Sequence, residues 1–108
     1  PKSGTATSNG ITFNYIKMYS GLMLYWWKMN ITASESSPVN FSKRGTATAV
    51  FPEPFVGVSP NVYASISESA GWWHAHSVGQ GLTECYIGIC GDTATTKEVS
   101  CFAMGFWK

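Results

Sequence analysis

Leu22-Met23-Leu24-Tyr25-Trp26-Trp27-Lys28-Met29-Asn30-Ile31 is the stretch that decides how this chain folds. Almost every position is apolar, so hydrophobicity alone fits a buried helix as well as a strand covered on both faces. What precedes the run settles the choice. Ile11, Phe13 and Tyr15 alternate with Thr12 and Asn14, which is strand periodicity, and Ser20-Gly21 is a turn signal. A strand and a turn leading into an apolar run read as a hairpin, so residues 22–31 are expected as its second strand, buried on both faces.

The same grammar continues outward. Residues 1–10 hold no apolar side chain larger than Ala or Pro and read as a flexible lead-in or linker, with a polar opening like a cut from a longer protein or a mature terminus. Residues 32–45 read as a loop. Thr46 to Phe51 alternates again, and Pro52 and Pro54 break the ladder because Pro has no N–H to donate. Val56–Ser67, Trp72–Val78, Leu82–Cys90 and Val99–Trp107 read as further strands, separated by Gly- and Ser-rich turns and by a loop at 91–98. Seven or eight short strands, with no capped helical period, point to one all-β domain over residues 11–108: a single antiparallel β-sandwich.

Composition narrows the function. Charged residues make up 12% of the chain and aromatics 15%, five of them Trp, with a net charge of +1. A surface this poor in charge suits a chain that hides area in an oligomer or presents rings to a ligand. There is no basic stripe for nucleic-acid phosphates and no apolar run of membrane-spanning length. Cys85, Cys90 and Cys101 are an odd number with no C-x-x-C pair, so buried thiols are expected ahead of a disulfide or a zinc site. The last strand is apolar on both sides: Phe102, Met104 and Phe106 share one face, Cys101, Ala103 and Trp107 the other. Only one face of a sandwich sheet points inward, so another subunit is the economical cover for the second.

Three stretches carry a family resemblance. They are Tyr15-Ile16-Lys17-Met18-Tyr19-Ser20-Gly21-Leu22-Met23-Leu24-Tyr25-Trp26, then Ala49-Val50-Phe51-Pro52-Glu53-Pro54-Phe55 followed by Ser59-Pro60-Asn61-Val62, then Phe102-Ala103-Met104-Gly105. In this order they resemble the hairpin, the proline corner and the terminal strand of the C-terminal domain of bacteriophage tail fibres, a relative of the H-type lectin fold. Trp27 and Cys101 depart from that pattern. The resemblance implies an H-type lectin-like β-sandwich, a homotrimer about the fibre axis, and attachment to a host cell-surface glycan or cell-wall polymer at the tip of a virion tail fibre. It also implies that the remainder of the fibre lies on the N-terminal side, that there is no catalysis, and that no cofactor is needed. The family's ligand residues vary, so none carries over.

The residues themselves nominate the site. In Gly71-Trp72-Trp73-His74-Ala75-His76 a strand puts Trp72, His74 and His76 on one face and Trp73 and Ala75 on the other. Indole faces stack on sugar C–H faces and imidazoles hydrogen-bond hydroxyls, so Trp72, Trp73, His74 and His76 are the candidate receptor contacts, with Asp92 in the last loop as a further one. The plain alternative is a core Trp beside solvated histidines. A third reading has His74 and His76 meeting on a threefold axis to hold a metal ion. The six acids form no recognisable glycosidase pair and no motif surrounds the thiols, so an enzyme is not expected.

Overall fold

A computed structural model describes residues 2–36, 43–66 and 73–108. Among these residues there are nine strands and no helix: β1 (Lys2–Ser8), β2 (Ile11–Lys17), β3 (Leu22–Ala33), β4 (Glu35–Ser36), β5 (Lys43–Val50), β6 (Asn61–Ser65), β7 (His74–Gln80), β8 (Glu84–Gly91) and β9 (Thr95–Phe106). They form two antiparallel sheets, a five-stranded one ordered β1-β2-β3-β9-β6 and a four-stranded one ordered β4-β5-β8-β7. The expected all-β sandwich is what the chain adopts.

The run from Leu22 is a strand, but it alternates. Met23, Tyr25, Trp27, Ile31 and Ala33 are buried between the sheets, whereas Leu22, Leu24, Trp26, Lys28 and Asn30 lie on the outer face. Its full-length pairing with β9, from Leu22↔Phe106 to Ala33↔Thr95, makes the central ladder of the larger sheet. On the other sheet Ala49, Cys85, Ile87 and Ile89 complete the core.

The proline corner closes one end of that core. Phe51 and Phe55 turn inward on either side of the prolines, with Phe51 stacked on Tyr25 at 5.5 Å and Phe55 edge-on to both. Phe13 packs on Trp27 at 4.8 Å. The Tyr25 hydroxyl donates to the Glu53 carbonyl and accepts from the Glu53 N–H, both at 3.0 Å, so one buried side chain pins the corner. Burial raises the Tyr25 pKa, the Glu53 hydrogen bond opposing it.

Several expectations need correction. Residues 2–8, expected as a flexible lead-in, are β1, paired along its whole length with β2. The cause is local: Asn9 and Gly10 take φ of 48° and 80°, the two-residue turn that Asn-Gly favours and that matches strand twist. An edge strand of Ser, Thr and Gly is held by its ladder and needs no apolar side chains. The loop expected over 32–45 is partly strand, because β3 runs on to Ala33, β4 pairs with β5 and β5 begins at Lys43. The loop expected over 91–98 shrinks to 92–94, and of the strand expected over 56–67 the described part, 56–66, is strand only at 61–65, Ser67 lying outside the described residues.

Candidate functional site

β7 presents the nominated residues as its alternation requires. Trp73 and Ala75 turn inward and pack against the core, while His74 and His76 stand exposed on the outer face of the four-stranded sheet. Trp72 lies outside the described residues. Trp73 lies against Gly91, where a Cβ would overlap the indole, and the Lys97 ammonium sits 5.0 Å above its ring. Trp73 therefore closes the sandwich edge and is separated from the histidine face by the strand itself. Asp92 is exposed in the 92–94 connection and does not line the histidine hollow.

Register decides what meets the histidines. His74 is opposite Cys90, Cys90 is opposite Arg44, and Arg44 is opposite Glu35, a row across all four strands. The next row outward is His76, Gly88 and Thr46. The imidazoles lie 5.6 Å apart. Gly88 leaves the floor low between them and Val78: a Cβ there would come within 2.7 Å of Val78 Cγ2 and 3.2 Å of His76 Nε2. The result is an open hollow of about 370 Å³ lined by Glu35, Arg44, Thr46, His74, His76 and Cys90. It can offer a guanidinium, a carboxylate and two imidazoles to a polyhydroxyl or anionic ligand. Glu35 and Arg44 read from sequence as loop residues; pairing of β4 with β5 brings them here.

Among the described residues no three His, Cys, Asp or Glu side chains converge as a metal site. Cys85 and Cys101 are buried in the core, and none of the three cysteines is in a disulfide. Burial pushes both core thiols up to about 12, with Glu84 adding to the shift at Cys85 and Cys85 adding to it at Cys101.

The outer face of the larger sheet differs in kind. One half carries Leu22, Leu24, Trp26, Phe102, Met104, Phe106 and Tyr63, with Trp26 opposite Phe102 and Phe102 opposite Tyr63. Trp26, Tyr63 and Phe106 are 43%, 57% and 45% exposed. Toward the other end the same face is Lys28, Asn30, Thr32, Thr96, Glu98 and Ser100. A second, larger hollow opens where β2 leaves β3, and no sequence signal marked it.

This two-sheet arrangement is the fold of pyocin tail-fibre structures. An N-truncated R2-type pyocin tail fibre superposes with a TM-score of 0.66 at 16% identity, over 97% of this chain and 38% of that one. The P. aeruginosa R1 pyocin fibre comprising C-terminal residues 323–701 gives 0.65 at 16% identity, over 98% and 28%. An N-truncated R1-type pyocin tail fibre gives 0.65 at 16%, over 98% and 87%. The chain thus spans well under half the length of the first two. No protein-family model and no curated protein matches its sequence significantly.

Proposed function

We propose that this chain is a phage-type tail-fibre domain that trimerises and attaches a particle to a bacterial surface glycan, as a binding module and not an enzyme. The observation that carries the reading is the contrast between its two outer faces. Half of the five-stranded sheet's outer face is apolar and aromatic, which suits burial against second and third copies around a fibre axis. The four-stranded sheet faces the opposite way and holds the polar hollow of His74, His76, Arg44 and Glu35, which such an assembly leaves open to a receptor. In this arrangement the histidines look outward, away from the axis, which disfavours the axial metal reading. The likeness to pyocin fibres and the three sequence stretches support the tail-fibre role, with the remainder of a fibre on the N-terminal side. The resemblance of those stretches to a relative of the H-type lectin fold favours a saccharide as ligand.

Sedimentation equilibrium and retention on immobilised bacterial envelope polysaccharide test the reading. The expected result is a particle of three chains that is retained and that loses retention when Arg44 and His76 are both replaced by Ala. A monomer that passes through unretained overturns it.

A further inference from the structure

A hollow of about 970 Å³ forms a wedge between the β1–β2 hairpin and β3. β2 pairs with β3 only over Asn14–Lys17 with Met23–Trp26, and beyond Asn14 the two strands part. Residues 11–13 of β2 remain paired with β1, and Phe13 still reaches into the core against Trp27.

Strand periodicity says which backbone groups face the gap. The Leu22 carbonyl accepts from Met18 N–H at 2.8 Å and the Trp26 carbonyl accepts from Asn14 Nδ2 at 3.3 Å, both on the β2 side. The Gly21 carbonyl accepts from Trp107 N–H on the β9 side. Even-numbered residues of β3 therefore direct N–H and C=O toward β2. Past Trp26 these are Lys28 and Asn30, with no ladder partner across the wedge among the described residues. Around them stand Thr12, Asn14, Asn30 and Ser100, the half-exposed indole of Trp26, and Lys28 as the charged lining residue. Lys28 approaches Glu98 only at 3.9 Å with both side chains well exposed, a pair too weak to hold it away from the hollow.

We propose that this wedge binds one or two units of a neutral sugar. Hydroxyls, carboxamides and unpaired main-chain groups match a ligand that is donor and acceptor at every carbon, and the indole gives its C–H face a stacking surface. The volume is that of a small-molecule site. A charged polymer would meet a single cation. An inserted peptide strand would need a long open edge, whereas this wedge closes at the Asn14–Trp26 pair. The site is distinct from the histidine hollow, which lies on the other sheet, so the two readings fail separately.

The test is amide and indole NMR of the intact chain titrated with glucose, N-acetylglucosamine, rhamnose and galactose at millimolar concentration, with an unstructured Gly-Ser peptide as control. At least one sugar is expected to shift the Trp26 indole and the Lys28 and Asn30 amides, saturably. Asn30→Ala and Thr12→Val are each expected to weaken that binding about fivefold, the loss of one net hydrogen bond, leaving the oligomeric mass unchanged. Trp26 is left intact because it also borders the apolar patch. The proposal is overturned if no sugar shifts these resonances, if the shifts fall only on His74 and His76, if the peptide shifts them equally, or if both variants bind like the parent.

Discussion

Met104→Glu is the substitution that most directly probes the apolar outer face. Met104 is half-buried in the middle of that face, opposite Leu24 on one side and Asn61 on the other. In a lone protomer the new carboxylate reaches water, so the fold is expected to lose no more than about 1 kcal/mol. In an assembly the carboxylate is sealed in without a partner. Tyr63 and Phe106 at their observed exposures leave about 200 Å² of mostly apolar surface per protomer, with Trp26 at its border. Covering it is worth on the order of 5 kcal/mol before the cost of association is subtracted. An unpaired buried charge costs several kcal/mol, and about 4 kcal/mol already weakens association roughly a thousandfold. Sedimentation at micromolar concentration is thus expected to give a trimer for the parent and a monomer for Met104→Glu. Circular dichroism and thermal unfolding confirm that the monomer is folded. A trimeric Met104→Glu chain refutes the placement of the interface on this face.

Gly45→Ala tests the approach of the two sheets: a Cβ at Gly45 would overlap the Thr32 carbonyl, and backbone cannot rotate aside. The expected loss is about 1–3 kcal/mol in urea unfolding, and an unchanged midpoint contradicts the inter-sheet contact. The two core thiols set an alkaline limit. Their pKa values lie at about 12 in the folded chain against 9.0 when exposed, so the folded state keeps protons that the unfolded state releases. Stability is expected to be flat below pH 9 from this source and to fall above it, by at most about 1.4 kcal/mol per pH unit per thiol. Urea midpoints that hold steady across that window would show that Cys85 and Cys101 are not buried as described.

Much of this protein was legible residue by residue. Alternation in Ile11–Tyr15, the turn at Ser20-Gly21, the prolines at 52 and 54 and the placing of Trp73 on the face opposite His74 and His76 all follow from period two and turn chemistry, which act between chain neighbours. So does the hairpin at Asn9-Gly10, although the polar composition of residues 2–8 hid it behind a linker-like appearance. What the sequence could not determine is which residues meet across strands. The row His74, Cys90, Arg44 and Glu35 exists only because β7, β8, β5 and β4 pair in that order and register. The apolarity of Leu22–Ile31 is likewise split by the tertiary structure into a core side and an outer side, since burial depends on where the second sheet lies. The wedge beside β3 arises where a ladder ends, and the end of a ladder is fixed by non-local pairing and not by the residues that line it.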